Sequence, residues 1–273
     1  MKKIVFGAAL VAAAGMAHAA INNTGNWYGN VGAQMHAVAF SGVSSASGSW
    51  NLGGIPAGAT IEAAYVHSND WFTGGAPLTL SFNGGAGVSQ NAYESALSGS
   101  GDLFDYRWDV TSMITGNGNY TFDLRGANII YMASLHVVYS HASLPVGSVH
   151  TYEGAEHVGE GHTTDTYSFN LANAAAGPAY FQMVTQADDT NTTGEEIFYN
   201  NQLVAGPLDN NLGAFASFIS SPVVNNGVSE QIDIKTYGDW FGMHVGIVTT
   251  TIPAPGAAAL MGLVGLAGLR RRR

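Results

Sequence analysis

The segment from Ala20 to Thr251 alternates short apolar or aromatic runs with clusters of Gly, Asn, Ser, Thr and Asp. Within Thr79–Asn83, Leu80 and Phe82 point to one face of a strand and the polar residues to the other. Strands with one solvent-exposed face belong mostly to antiparallel sheets, and two such sheets commonly pack face to face. Since apolar residues at helical spacing are nearly absent here, the sequence predicts an all-β fold.

The composition shows what can hold such a fold together. The chain has 273 residues, 46% of them apolar, and no cysteine. Disulfide bonds and thiolate metal sites are therefore excluded, and side-chain packing and backbone pairing must supply the stability. At roughly 100–200 residues per domain, the length allows one large or two ordinary domains.

An internal repeat favours two domains. Three features of the first half return in the same order roughly 110 residues later. They predict two tandem antiparallel β-sandwich domains of jelly-roll-like form, residues 20–145 and 146–251, meeting near Pro145. Chance similarity between β-rich segments is the alternative. The matched segments are Ile61–Val66 with Tyr180–Val184, Leu80–Gly84 with Ile197–Asn201, and Ser134–Tyr139 with Gly242–Ile247.

The first 19 residues have the features of a secretory signal. Lys2 and Lys3 precede the apolar run Ile4–Ala14, and a small-x-small tripeptide ends at Ala19. This order predicts a helical signal peptide cleaved between Ala19 and Ala20. The secretion machinery is then a partner, and the body is exported. A buried first helix is the alternative.

The last 22 residues, 252–273, also have three parts. A proline motif is followed by the uncharged run Gly256–Leu269 and then by four arginines. As a helix the run would measure roughly 21 Å, short of the roughly 30 Å hydrocarbon core of a bilayer. Spanning would need bilayer thinning or arginine side chains reaching the interface.

This tail resembles the PEP-CTERM sorting signal in a Pro-Ala-Pro variant. Ala254 stands where the family usually has glutamate. The resemblance implies processing by an exosortase-like membrane enzyme, attachment to the membrane through the tail before processing, and delivery to the cell surface or extracellular matrix. A simple membrane anchor is the alternative. The residues that match the sorting motif are Pro253, Ala254, Pro255, Gly256, Arg270, Arg271, Arg272 and Arg273.

The body carries a second resemblance. Leu80–Gly84, Tyr106–Thr111 and Tyr152–Ala155 are similar to motifs of a family of tandem β-sandwich surface domains with no assigned activity. This similarity implies the same fold and no particular chemistry.

Charge and motifs exclude some functions. Between Lys3 and Arg270 the chain has 19 acidic residues and only Arg107, Arg125 and Lys235 as basic ones. Such a body repels nucleic acid, whose binding depends on lysine and arginine. The sequence has no Gly-x-Ser-x-Gly elbow and no phosphate loop, so we expect a noncatalytic protein. A secreted hydrolase is an alternative, because catalytic triads assemble residues that are distant in sequence.

The segment Asp188–Glu196 is the richest in oxygen ligands. Calcium takes six to eight oxygens, and adjacent carboxylates repel one another without a cation. An EF-hand is excluded because Asn200 occupies its twelfth position. A solvated hairpin loop is the alternative, and no other cofactor is expected. The calcium ligands would be Asp188, Asp189, Asn191, Glu195 and Glu196.

Histidines and glutamates are interspersed after Gly147. Such a set suits zinc, but its spacing matches no compact ligand pattern and glycines interrupt it, so a polar interdomain loop is expected instead. His136 and His244, each inside an apolar strand, are expected to be core or strand-end histidines. The residues of the loop are His150, Glu153, Glu156, His157, Glu160 and His162.

Aromatic residues suggest one further function. Trp71 and Phe72 follow Asn69 and Asp70 in an apparent loop and are the best candidates for exposed rings. Exposed rings stack on sugars, so a glycan-binding module with extracellular polysaccharide as partner is an alternative function. Ordinary core packing is the other explanation.

Overall fold

The computed structural model describes residues 22–71, 76–96, 103–158, 165–169, 176–186, 195–208, 216–227, 229–235 and 241–251. These ranges contain fifteen antiparallel strands, one 3₁₀ turn (Thr111–Met113) and no α-helix, which confirms the prediction of an all-β fold. The predicted signal and sorting segments lie outside them. No helix within them is long and apolar enough to cross a membrane. The strands are β1 (Asn22–Leu52), β2 (Thr60–Trp71), β3 (Leu78–Phe82), β4 (Val88–Gln90), β5 (Glu94–Ala96), β6 (Leu103–Asp109), β7 (Gly118–Ser140), β8 (Val146–Val158), β9 (Asp165–Phe169), β10 (Gly177–Gln186), β11 (Glu195–Tyr199), β12 (Gln202–Leu208), β13 (Ala216–Asn225), β14 (Glu230–Lys235) and β15 (Phe241–Thr251).

The described strands form two sheets. The larger sheet has the order β13-β10-β15-β8-β1-β7-β2-β6-β5, with β3 and β4 attached to β7. The smaller sheet has the order β12-β11-β14-β9. Residues 22–30 of β1 pair with β8, and the rest of β1 pairs with β7. One sheet therefore runs continuously across Pro145, where the sequence places a domain boundary.

The pairing pattern of the first half recurs in the second. Strand β2 lies between β6 and β7, as β10 lies between β13 and β15. Strand β3 lies between β4 and β7, as β11 lies between β12 and β14. The long pair β1 and β7 corresponds to two shorter pairs, β8 with β15 and β9 with β14. The two halves thus share one strand arrangement.

Two asparagine turns show the same recurrence. Asn83 and Asn200 follow β3 and β11 with φ angles of 50° and 48°, a conformation that asparagine tolerates well. Asn83 donates its backbone N–H to Thr121 O (2.8 Å) and accepts from Thr121 N at Oδ1 (2.8 Å). Asn200 makes the same two bonds with Gln231, at 2.8 and 2.9 Å. Each side chain therefore extends its sheet by one residue.

Two of the three apolar clusters lie within single halves. In the first half Trp50 stacks on Phe122, with ring centroids 4.1 Å apart. Gly48 is paired with Phe122, and a Cβ at position 48 would lie 2.9 Å from that ring. In the second half Phe181 and Tyr199 pack together at 5.3 Å. Each half therefore has its own apolar core.

The third apolar cluster combines residues of both halves. Val31 and Val138 from the first half pack with Val149 and Val184 from the second. The large sheet curls, so that β5 and β6 contact β8, and β13 contacts β1. The third cluster occupies the inner face of this curl, and Tyr65 on β2 packs against it.

Candidate functional site

Three chemically reactive side chains meet on the inner face of the curl. His67 lies on β2, His136 on β7 and Glu153 on β8, and their exposed fractions are 0%, 1% and 0%. One potential ligand atom from each residue lies within 4.8 Å of the other two. His67 Nε2 is 3.5 Å from Glu153 Oε1. We call these three residues the His-His-Glu cluster.

Strand register brings the two histidines together. Tyr65 is paired with His136, and His67 is paired with Ser134. Because alternate residues of a strand share a face, His67 and His136 are diagonal neighbours on the face that carries Tyr65. Their ring centroids are 5.2 Å apart, with an interplanar angle of 71°.

Glu153 reaches the cluster from the second half. It lies four residues after Val149 on β8 and therefore shares the face of that residue. Val149 belongs to the apolar cluster inside the curl. Tyr152, the preceding residue, faces the core of the second half instead. The curl of the sheet thus sets a carboxylate of one half against two imidazoles of the other.

Arg107 on β6 holds the second oxygen of Glu153. Its Nη1 donates to Glu153 Oε2 at 2.5 Å. Burial lowers the pKa of Arg107, but the charge and hydrogen bond of Glu153 outweigh it, so the pKa is raised. The guanidinium also lies over the rings of Tyr65 (5.2 Å) and Tyr93 (5.4 Å). The Arg107 side chain is 37% exposed, so the cluster lies one side chain below the surface.

The cluster has the donor set of a transition-metal site. Two imidazoles and one carboxylate bind zinc and related ions, and three protein ligands leave one coordination position for water. Arg107 would act as the outer partner that orients the ligating carboxylate. Without a metal ion, the same residues form a buried ion-pair network.

The segment after Gly147 differs from the predicted loop. Val146–Val158 forms β8, because its residues pair with β1 on one side and β15 on the other. The prediction of a polar interdomain loop here is therefore wrong. His150 faces away from Glu153, and its ring nitrogens lie 2.6 Å from Asn26 Oδ1 and 2.8 Å from Ser148 Oγ.

The other histidines considered from the sequence lie partly inside and partly outside the described residues. His136 is buried in its strand, as expected, but its place beside His67 was not predicted. The side chain of His244, on β15, lies outside the described residues. The same holds for the side chains of Glu156, His157, Glu160 and His162.

Only two of the five predicted calcium ligands are described. Glu195 and Glu196 begin β11, where burial alternates from residue to residue. Glu195 is buried, whereas Glu196 Oε2 lies 3.8 Å from Lys235 Nζ. Successive strand residues point to opposite faces, so these two carboxylates do not converge on one ion. Asp188, Asp189 and Asn191 lie outside the described residues.

Trp71 does not stand in an exposed loop, and that prediction is wrong. It is the last residue of β2, is 3% exposed, and packs edge-on against Tyr131 at 6.2 Å. Strand β2 extends through Asn69 and Asp70 because both pair with β6. Phe72 lies outside the described residues. Trp50 and Trp108 are buried as well, and Trp27 is half-buried.

His67 was missed by the sequence analysis. It directly follows Ile61–Val66, a segment of the internal repeat, and strand alternation places Tyr65, His67 and Asn69 on one face. The same alternation places Ser134 and His136 on one face of β7. This polar stripe on two strands was the available signal. The approach of Glu153 depends on the curl of the sheet, which no local pattern reveals.

No protein-family model matches the chain, and no curated protein matches it in sequence. Similar solved structures include a β-porphyranase of glycoside hydrolase family 86 from the human gut bacterium Bacteroides plebeius, 13% identical with a TM-score of 0.30. The match covers 70% of this chain and only 36% of that enzyme. A conserved protein of unknown function from Pseudomonas aeruginosa PAO1 is 10% identical with a TM-score of 0.32, over 82% and 84% of the two chains.

An exo-β-1,3-galactanase from Phanerochaete chrysosporium is 13% identical with a TM-score of 0.25, over 69% of this chain and 57% of that enzyme. Glycoside hydrolases are thus among the structures similar to this chain. TM-scores of this size support no conclusion about its fold or activity.

Proposed function

We propose that this chain is an exported, noncatalytic protein of the bacterial cell surface or extracellular matrix, sorted by an exosortase-type enzyme. The observation that carries the proposal is the order of proline motif, uncharged run and arginine block within residues 252–273. The secretion machinery and the exosortase-like enzyme are its partners. The tail holds the protein at the membrane until it is processed.

The positions where backbone pairing begins and ends support the separation of the two terminal signals from the folded body. The first described strand begins at Asn22, two residues after Ala20. In the last pairing of β15, Thr251 is paired with Gly147. Thr251 lies two residues before Pro253. Removing residues 1–19, or the tail after the proline motif, therefore takes away no backbone pairing of the described strands. The body is able to stay folded through both cleavages.

The repeated pairing supports a body of two tandem β-sandwich units, residues 20–145 and 146–251. Each half has the same strand arrangement, its own asparagine turn and its own apolar core. Pairing between β1 and β8 joins the units edge to edge. The body between Lys3 and Arg270 has a net charge of −16, which favours solubility and limits nonspecific adhesion.

The proposal is tested in two bacterial hosts, one with an exosortase system and one in which its exosortase gene is deleted. The full chain is produced in both, and the intact mass of protein from membrane, surface and medium is measured. We expect loss of residues 1–19 in both hosts, and loss of the residues after the proline motif only where the exosortase is present. Cytosolic protein with both termini intact in both hosts would contradict the proposal.

Two variants separate the tail from the body. Replacing all four terminal arginines by glutamine should abolish processing, because it removes the fixed positive charge that keeps the tail oriented in the membrane. Arg125→Gln is the matched control: Arg125 is exposed and forms an ion pair with Asp123 in the body, so processing should be unchanged. Equal processing of both variants would contradict the assigned role of the arginine block.

A further inference from the structure

We propose that His67, His136 and Glu153 bind one zinc ion inside the curled sheet. The cluster brings two imidazoles and a carboxylate together from three strands, with all three side chains buried. This site shares only Glu153 with the histidine and glutamate set considered from the sequence and none of the predicted calcium ligands, and it does not depend on how the chain is sorted.

The spacing of the ligand atoms suits a tetrahedral ion. Zinc binds imidazole nitrogen and carboxylate oxygen at about 2.0–2.2 Å, which places tetrahedral ligand atoms about 3.3–3.5 Å apart. His67 Nε2 and Glu153 Oε1 are already 3.5 Å apart. The three ligand atoms, one from each residue, all lie within 4.8 Å of one another, so small side-chain rotations complete the geometry. A small octahedral ion would place adjacent ligand atoms about 3 Å apart, so the separation of 3.5 Å is nearer the tetrahedral value, and larger ions such as calcium prefer oxygen ligands to imidazole.

The surroundings fix the carboxylate in a useful orientation. Arg107 binds Glu153 Oε2, which leaves Oε1 turned toward His67. A charged outer partner of this kind orients a ligating carboxylate. Because the Arg107 side chain is 37% exposed, solvent screens its repulsion of a divalent ion.

The competing explanation is a buried ion pair without a metal ion. That explanation requires the contacts of Glu153 with Arg107 and with His67, whose Nε2 lies 3.5 Å from Glu153 Oε1. The His136 ring would then pack edge-on against the His67 ring. Zinc binding requires His136 as much as His67, so the dependence on His136 separates the two explanations.

The test uses the full chain, freed of metal with a chelator and titrated with zinc chloride by calorimetry. We expect one zinc ion per chain and a melting temperature that rises with zinc, because the ion binds only the folded state. His67→Gln and His136→Gln should each weaken zinc binding at least about 100-fold, since loss of an outer partner alone costs about 10- to 100-fold. Circular dichroism and a cooperative melt establish that each variant folds.

His150→Gln is the matched control, because His150 is equally buried but faces away from Glu153 on β8. Its zinc affinity should equal that of the unaltered chain. X-ray absorption of the zinc-loaded chain should show two imidazoles per zinc, a readout that needs no variant. The proposal is overturned by absence of stoichiometric binding, by unchanged affinity in His136→Gln, or by loss of binding in His157→Gln or His162→Gln instead.

Discussion

Replacing His150 by glutamine should make the stability of the protein less dependent on pH in the acid range. The ring of His150 is fully buried between two polar partners. Asn26 Oδ1 can only accept, so Nδ1 carries the proton and donates to it at 2.6 Å. In the neutral ring, Nε2 then accepts from Ser148 Oγ at 2.8 Å. The site is complete with an uncharged imidazole.

The pKa of His150 sets the size of the effect. Burial lowers the pKa of His150 from 6.5 to about 4. In the unfolded chain the ring takes up a proton near pH 6.5, whereas in the folded chain it does so only near pH 4, so folding stability falls as the pH falls through this interval. At about 1.4 kcal/mol per pKa unit, the loss is about 2 kcal/mol by pH 5 and about 3 kcal/mol by pH 4. Above pH 6.5 both states are neutral and the loss disappears.

The assay is urea unfolding followed by tryptophan fluorescence at pH 7, 6, 5 and 4, with a chelator present. All other titrating groups occur in both proteins, so the difference between the unaltered chain and His150→Gln isolates the imidazole. The free energy of unfolding of the variant, minus that of the unaltered chain, should increase by about 3 kcal/mol between pH 7 and pH 4. Ser148→Ala keeps the imidazole and should keep the pH dependence. A difference that stays constant within about 0.5 kcal/mol across this range would refute the reasoning.

Three further predictions, which use five substitutions, test the packing and pairing by urea unfolding at pH 7. Trp50→Ala removes a ring stacked in the first core and should cost about 3–5 kcal/mol; a cost below about 1 kcal/mol would contradict its burial. Arg107→Met removes the arginine partner of a buried carboxylate and should cost about 3 kcal/mol. This cost should exceed that of Glu153→Gln, which leaves an arginine able to reach solvent; the reverse order would contradict the assigned exposure. Asn83→Ala should cost about 1–2 kcal/mol, and more than Asn83→Gly, because alanine loses both the hydrogen bond to Thr121 N and tolerance of positive φ; equal costs would show that φ at this position is unimportant.

Much of the strand content was predictable because local alternation of apolar and polar residues indicates it. Leu80 and Phe82 were expected on one face of β3, and both are buried. The asparagine after Phe82 and the one after Tyr199 were recognised as parts of a repeat, and both adopt positive φ. These features depend on neighbours within a few residues of one another.

The candidate site was less predictable because it depends on contacts between distant strands. Glycines and charges after Gly147 favoured a loop, yet the segment is held as β8 by partners on both sides. Trp71 follows two polar residues that are typical of turns, yet pairing with β6 keeps Asn69 and Asp70 in the strand. In both places tertiary pairing outweighs local preference.

The His-His-Glu cluster joins the two halves of the body. Strands β10 and β15 pair as β2 and β7 do, and β10 presents Val184 to the apolar cluster of the inner face. Since the histidines lie before Pro145 and Glu153 after it, the cluster exists only while both halves are joined, whereas the proposed sorting motif lies within residues 252–273 and includes none of its three residues. Loss of zinc binding should therefore leave processing of the tail unchanged, which keeps the two proposals separately testable.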